Sequence, residues 1–191
     1  MNTIHKDLLS LKKDKNDIRN EVIKNITKML INRKLLDNKN LDETIKKIKS
    51  TKNSNNEYNI TLNNKEKIII KFVSHKLTTI NKSSGILDFL DTNFDKNFLL
   101  VVPDFSSKAE KELKIKYKKS ELFKEEELLL DLMEHILVPT QYKIDADTDP
   151  FLKNWNTNKK NFPRITLNDP VSKYLNLKEG DIIRIVRPSQ S

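Results

Sequence analysis

The sequence contains no cysteine and only two glycines, Gly85 and Gly180. Without cysteine the chain can form no disulfide, zinc ribbon or thiol nucleophile, which suits a reducing compartment. Two isolated glycines exclude a glycine-rich phosphate-binding loop, and the Gly-x-Ser-x-Gly turn that presents a catalytic serine does not occur. The composition therefore excludes several common classes of enzyme.

Long hydrophobic runs are also missing. The longest, residues 98–102 and 128–130, are far shorter than the roughly 20 apolar residues that a transmembrane helix needs. Residues 1–13 lack the pattern of a signal peptide, so we expect the protein to stay where it is made and to have no membrane partner. A length of 191 residues is enough for one large or two small domains.

Arginine is scarce in a chain that is otherwise basic. The net charge of +9 is typical of proteins that bind nucleic acid or another polyanion. However, 31 of the 36 basic residues are lysine and 22 residues are asparagine, the bias of an A/T-rich genome, so part of this charge reflects codon usage. Three of the five arginines are Arg164, Arg184 and Arg187. Because lysine cannot replace a guanidinium in a bidentate contact, Arg164 and Arg187 are candidate partner contacts, with exposed strand charge as the alternative.

Helical and strand patterns alternate in the first two thirds of the chain. Asn63-Asn64 predicts a hairpin turn, and Ser107 followed by Glu110 has the spacing of a capping box. The acidic stretch 121–131 is interpreted as a solvated face. The predicted helices are 18–30, 41–48, 83–90 and 109–117, and the predicted strands are 58–62, 68–73 and 98–102. This alternation favours an α/β layer with a mixed sheet over a helical bundle.

The pattern of apolar and polar residues changes in the last third of the sequence, where a second, smaller domain is predicted. Asp169-Pro170 indicates a helix start, because aspartate caps a helix and proline suits its first position. Asn176 stands where a left-handed residue would end that helix. Gly180 then turns the chain into a predicted strand at 181–187.

These C-terminal residues carry a resemblance to a known family. The motifs are Glu-His-Ile-Leu-Val-Pro from Glu134, Phe-Pro-Arg-Ile from Phe162, Asp-Pro-Val from Asp169, Tyr-Leu from Tyr174, Leu-Lys-Glu-Gly-Asp from Leu177 and Arg-Ile-Val-Arg-Pro-Ser from Arg184. In this order they resemble the assembly domain of subunit five of eukaryotic RNA polymerases, which has a smaller archaeal relative. Residues 99–102 and 106–109 are similarly placed to parts of the eukaryotic jaw domain, which the archaeal relative lacks.

The resemblance implies an α/β jaw domain with a mixed sheet at residues 1–133 and a small α+β assembly domain at 134–191. It implies a non-catalytic polymerase subunit without cofactor or metal, which docks on the largest subunit through its assembly domain while the jaw lies near downstream duplex DNA. The residues implied in docking are Pro163, Arg164, Asp169, Pro170, Gly180, Arg187 and Pro188.

The jaw resemblance also places Ser106, Ser107 and Lys108 near DNA. Free amides at a helix start attract a phosphate, so these residues would make a weak contact that is independent of sequence. An ordinary helix cap is the alternative.

Three features depart from the family pattern. Asn176 replaces the usual glycine, which a left-handed cap tolerates. The chain ends at Ser191 where relatives continue into a further strand, so we expect that strand partner to be missing or to come from a neighbour. The divergent, lysine-rich jaw suggests a large DNA virus. We expect the nucleus as the location of a cellular protein, and the viral factory in the host cytoplasm or the virion for a viral one.

Two other functions are compatible with parts of the sequence. A free-standing basic nucleic-acid-binding transcription regulator would account for the net charge. A restriction-type nuclease would combine Asp104, which follows a buried strand, with Glu112 and Lys114. The geometry opposes the nuclease, because residues two apart on the predicted helix 109–117 point in different directions.

The three histidines, His5, His75 and His135, have no acidic partners at metal-ligand spacing, so we expect no metal site. Glu134 directly precedes His135, but neighbours on an extended chain point apart and make no catalytic dyad. We expect His135 to order the junction between the two predicted domains.

Overall fold

Two β-sheets organise the residues that the computed structural model describes, which are 14–37, 40–145, 152 and 161–187. The α-helices among them are α1 (Lys15–Asn32), α2 (Leu41–Ser50), α3 (Leu87–Thr92), α4 (Ser107–Lys116) and α5 (Pro170–Tyr174). The strands are β1 (Glu57–Thr61), β2 (Lys67–Phe72), β3 (Asn97–Val102), β4 (Ser120–Lys124), β5 (Thr140–Ile144) and β6 (Ile182–Val186). Short 3₁₀ turns occur at Lys82–Ser84, Glu125–Leu128 and Leu132–Glu134. No described helix is long and apolar enough to span a membrane.

The larger sheet is mixed, as the alternating pattern predicts. Its strand order is β1-β2-β3-β4. The first pair is an antiparallel hairpin, whereas β2, β3 and β4 run parallel to one another. Lys65 adopts a left-handed conformation (φ 66°) after Asn63-Asn64, and its amide donates to the Leu62 carbonyl to close the predicted turn. The smaller sheet is the antiparallel pair β5-β6.

Helices cover both faces of the larger sheet. Leu99 and Val101 of β3 belong to one buried cluster, which includes residues of α1 and α5. Phe98 and Leu100, which alternate with them, belong to a second cluster that includes residues of α3 and α4. Successive side chains of a strand point to opposite faces, so a continuous apolar run such as β3 is the pattern of a strand buried on both sides.

Strand β4 differs from the sequence-based interpretation of its region as a solvated acidic face. Ser120–Lys124 pairs with β3 in parallel, and Leu122 and Phe123 are buried on opposite faces of the sheet. The strand was missed because only two apolar residues lie among charged ones, too few to show a period. Strand β5 was missed for a similar reason, since Thr140–Ile144 mixes polar and apolar residues.

The start and end of α5 agree with the sequence analysis. The Asp169 carboxylate accepts a hydrogen bond from the Val171 amide at 2.8 Å, and Pro170 occupies the first helical position. Asn176 is left-handed (φ 49°), and the Leu177 amide donates to the Ser172 carbonyl at 2.9 Å. This bond and the left-handed Asn176 are the features of the Schellman motif, which commonly ends a helix.

The C-terminal segment, defined here as residues 134–145 and 161–187, shares its core with the residues before it. Val171, Tyr174, Leu175 and Leu177 are buried in the same cluster as α1 and the larger sheet. Burial of a large apolar side chain contributes about 1.5–3 kcal/mol, so this packing is a substantial part of what holds α5 in place.

Helix α1 ends in a second Schellman motif whose left-handed residue is Lys34 (φ 61°) rather than glycine. The Leu35 amide donates to the Leu30 carbonyl at 2.9 Å, and the Lys34 amide donates to the Ile31 carbonyl at 2.8 Å. A side chain in this conformation is strained, because its Cβ approaches the following carbonyl oxygen.

Replacing Lys34 with glycine should therefore raise the free energy of unfolding by about 0.5–1 kcal/mol, because relief of the left-handed strain outweighs the greater entropy of glycine in the unfolded chain. Urea unfolding measures this change. Lys34→Ala is the matched control, since it removes the same charge but keeps the strain. An equal gain from both variants would assign the effect to charge instead of backbone conformation.

Candidate protein and nucleic-acid interfaces

Large apolar side chains are exposed mainly in the C-terminal segment. Nine such residues are exposed in the described part of the chain, and six of them are Ile136, Leu137, Ile165, Leu167, Ile185 and Val186. Ile136 is 95% exposed and Leu137 is 78% exposed. A single exposed apolar residue is ordinary, but a concentration of them in one part of a protein is typical of a surface that binds another protein.

Strand β6 shows how its apolar residues come to be exposed. Ile183 packs against the buried cluster of α1 and α5. Ile185 lies on the same face of the strand, yet it is 46% exposed, and Val186 is 50% exposed. The strand thus runs beyond the edge of the core, and its C-terminal end leads directly to Arg187, which is also exposed.

The residues predicted to shape or make the docking contact fall into two groups. Asp169, Pro170 and Gly180 shape the backbone: the first two begin α5, and Gly180 is left-handed (φ 90°) in the turn before β6. The second group consists of exposed residues that are available to a partner, Pro163, Arg164 and Arg187. Pro188 lies outside the described residues.

The start of α4 corrects one sequence-based prediction. Ser106, not Ser107, is the N-cap, and its hydroxyl accepts a hydrogen bond from the Ala109 amide at 3.1 Å while donating to the Thr78 carbonyl. Glu110 does not reach back to form a capping box but pairs with Lys114 at 2.8 Å. The prediction was one residue late because two adjacent serines can each cap a helix, and the contact with Thr78 decides between them.

Ser107 and Lys108 are exposed in the first turn of α4. The hydroxyl of Ser106, by contrast, is engaged on both sides, as a donor and as an acceptor. Of the three residues predicted to lie near DNA, Ser107 and Lys108 therefore have the side chains that can reach a phosphate from this helix start.

Asp104 lies at the carboxyl ends of the parallel strands, between two lysines. Its carboxylate oxygens are 2.7 Å from Lys76 Nζ and 2.8 Å from Lys124 Nζ. The hydrogen bond from Lys124, followed by that from Lys76, holds the pKa of Asp104 well below its usual range. The same contact with Asp104 raises the pKa of Lys124. Asp104 is thus a structural ion-pair partner.

The arrangement needed for the nuclease interpretation is not formed. Glu112 accepts a hydrogen bond from the Ile80 amide at 3.1 Å, and Lys114 pairs with Glu110 at 2.8 Å. Both residues lie on α4, as the sequence predicts, and Asp104 is held by Lys76 and Lys124 instead. The three residues are therefore engaged in separate contacts.

The described histidines make local contacts. His75 Nε2 is 2.8 Å from the Ser84 carbonyl oxygen, and His135 Nδ1 accepts a hydrogen bond from the Leu137 amide at 3.2 Å. No group of three potential metal ligands occurs among the residues that the structure describes. The predicted role of His135 at a domain junction stays a prediction, and His5 lies outside the described residues.

Sequence reasoning missed Arg33 and Glu121, which form a largely buried ion pair between α1 and β4 with Nη2 2.8 Å from Oε2. One signal was available. Arginine is rare in this lysine-rich chain, and the same argument that singled out Arg164 and Arg187 applies to Arg33. Glu121 carried no comparable signal because it lies in an acidic stretch.

Comparison with known proteins identifies relatives of this chain. The family model described as RNA polymerase Rpb5, C-terminal domain, matches residues 130–191. DNA-directed RNA polymerase subunit 5 of Acanthamoeba polyphaga mimivirus is 30% identical in an alignment of 191 positions that covers 97% of this chain and 92% of that protein. The subunit rpabc1 of DNA-directed RNA polymerases I, II, and III of Dictyostelium discoideum is 36% identical over 72 residues, 37% of this chain and 36% of that protein.

The near full-length match shows that the chain belongs to the subunit 5 family of multisubunit DNA-directed RNA polymerases. It is a structural subunit of such a polymerase and does not itself catalyse the reaction. The resemblance seen in the sequence is confirmed, and the free-standing regulator and the nuclease are set aside.

The ion pairs of Asp104 predict a dependence of stability on pH. Because the pKa is lower in the folded chain than in the unfolded chain, the charged form stabilises the fold above the unfolded pKa of about 4, and this contribution is lost as the pH falls below it.

Urea unfolding of the wild type and of Asp104→Asn, compared between pH 7 and pH 2.5, should show the wild type more stable at neutral pH by a modest amount, since the site is partly exposed. The difference should shrink below about pH 4. A difference that is constant across this range would show that the Asp104 charge contributes nothing to stability.

Proposed function

We propose that the C-terminal residues 134–191 form the assembly domain that docks on the largest polymerase subunit, while residues 1–133 form a jaw. The observation that carries this proposal is the concentration of exposed apolar side chains in the C-terminal segment, beside the exposed Arg164 and Arg187. Protein interfaces that bind tightly typically combine apolar side chains, which the partner buries, with arginine.

The exposed C-terminal end of β6 also supports the proposal that a partner docks here. Ile185 and Val186 project beyond the core of this chain, so a neighbouring subunit can bury them without any rearrangement.

The jaw would contact the backbone of downstream duplex DNA through Ser107 and Lys108 at the start of α4. Both are exposed, and the first turn of a ten-residue helix presents amides and the positive end of its dipole. Such a contact is weak, independent of sequence and sensitive to salt.

We also propose that the polymerase it serves is that of a large DNA virus, which would place it in the host cytoplasm at a viral factory or in the virion. The match to a mimivirus subunit spans nearly the whole chain, whereas the match to a eukaryotic subunit spans 72 residues. If the gene were cellular instead, we would expect the protein in the nucleus.

Docking is tested by exchanging an exposed apolar residue for a charged one. Leu137→Asp should lower co-purification with the polymerase large subunits roughly tenfold, because burial of a leucine at an interface contributes about 1.5–3 kcal/mol. The matched control is Ile115→Asp on α4, since Ile115 is 74% exposed and Leu137 is 78% exposed. Equal recovery of both variants after a high-salt wash would contradict this docking surface.

Arg187→Glu tests the charged part of the same surface. Reversal of a desolvated charged contact should cost about 2–5 kcal/mol and reduce co-purification at least as strongly. The circular dichroism spectrum and the free energy of unfolding should not change, because Arg187 is exposed. Unchanged yield of the complex would remove Arg187 from the interface.

The DNA contact is tested in the assembled polymerase. Lys108→Ala should weaken binding to downstream duplex equally for all sequences and should reduce the slope of log K against log salt by about 0.9, the value for one phosphate contact. Lys116→Ala, at the other end of α4, is the control and should leave the slope unchanged. If both variants behave alike, the helix start does not contact DNA.

A further inference from the structure

Helix α5 is too short to be stable by itself. It has five residues, fewer than the roughly 12–15 that an isolated helix needs in water. The two-stranded sheet β5-β6 is likewise marginal without a surface to pack on. The stability of the C-terminal segment must therefore come largely from its contacts with the preceding residues, and the buried side chains of α5 lie in the cluster that contains α1.

Arg33, at the C-terminal end of α1, bonds both to β4 of the larger sheet and to α5. Its Nη1 and Nη2 donate to the two carboxylate oxygens of Glu121 on β4, each at 2.8 Å. Its Nε donates to the Tyr174 carbonyl at 2.7 Å, and Nη2 also reaches the Lys173 carbonyl at 3.2 Å. The guanidinium therefore joins the sheet to the last carbonyls of α5, where a positive charge also complements the helix dipole.

Asn32, the residue before Arg33, makes a second connection between the end of α1 and α5. The hydroxyl of Tyr174 accepts a hydrogen bond from Asn32 Nδ2 at 2.9 Å and donates to Asp131 Oδ1 at 3.1 Å. Asp131 lies in turn 3.9 Å from Lys28 Nζ, again on α1. Neighbouring residues at the end of α1 thus hold both the backbone and the side chain of Tyr174.

The chemistry of the contact requires arginine. A lysine ammonium is a point charge and cannot donate two parallel bonds to a carboxylate while a third donor reaches a carbonyl. Arg33 is 5% exposed, so its bonds are not exchanged for bonds to water. In a chain with 31 lysines and five arginines, an arginine here matches this requirement.

We propose that Arg33 is a positioning residue that makes α5 and β6 one rigid body with the larger sheet. The orientation of the docking surface relative to the start of α4 is then set within this chain and not by the polymerase. The meaning of this rigidity for transcription rests on the proposed function, whereas the rigidity itself is a property of the free chain.

Hydrogen exchange of the full-length free chain, followed by mass spectrometry, tests the proposal. In the wild type, the slowest amides of residues 170–187 should be protected to a similar degree as those of β2 and β3. In Arg33→Lys, exchange at 170–187 should accelerate roughly tenfold or more, and the slowest amides of β2 and β3 should accelerate by a similar factor, because the segment and the sheet open as one unit.

Arg19→Lys is the matched control on the same helix. Arg19 donates to Asn56 at 3.2 Å and lies 5.8 Å from the ring centre of Phe72, and neither of these residues belongs to the C-terminal segment. Its replacement should leave exchange at 170–187 unchanged. Tyr174→Phe, which removes one hydroxyl, is the milder variant if Arg33→Lys does not fold, and it should accelerate exchange in the same residues to a smaller extent.

Two results would overturn the proposal. One is fast exchange of 170–187 in the wild type while the sheet is protected, which would show that the segment already moves independently. The other is no acceleration at 170–187 in Arg33→Lys, or acceleration there that exceeds the acceleration of β2 and β3, which would show that Arg33 does not hold the segment and the sheet together as one unit. Co-purification with the polymerase is a separate measurement, so a failure of docking is distinguishable from a failure of this inference.

Discussion

The buried guanidinium of Arg33 is the contact on which the arrangement of the C-terminal segment depends. It satisfies the carboxylate of Glu121 and two carbonyls at the end of α5 at once. Removal of one member of a buried ion pair typically costs about 3–5 kcal/mol, because the other charge stays buried without a partner. That cost is a large share of the roughly 5–15 kcal/mol by which a protein of this kind is stable.

The same packing decides which surfaces remain for partners. Helices α1 and α5 cover one face of the larger sheet, and α3 and α4 cover the other. The apolar side of α5 is used in the core, so the exposed apolar residues of the C-terminal segment lie outside α5, among them those on β6 and Ile136 and Leu137. The proposed docking surface and the proposed DNA contact on α4 therefore belong to elements on opposite faces of one sheet, and a polymerase can use both at the same time.

The elements with a clear period were predictable from the sequence, and those without one were not. The pattern of Val22, Ile26 and Met29 is enough to place α1, and five consecutive apolar residues are enough to place β3. Strand β4 carries only Leu122 and Phe123 between charged residues, so its burial depends on the neighbour beside it. The cap of α4 was misplaced by one residue, because the carbonyl of Thr78, distant in sequence, selects Ser106.

The sequence by itself determined the family, the start and end of α5 and the mixed character of the larger sheet. The family is recognised by the resemblance of its ordered C-terminal motifs, whereas the other features follow from residue types at short spacing: an aspartate before a proline, a left-handed asparagine, and apolar residues at the period of a helix or a strand. Only the tertiary structure decided that Arg33 meets Glu121, 88 residues away, and that β6 extends past the core. Contacts between distant segments are set by packing of the whole chain, which no local pattern encodes.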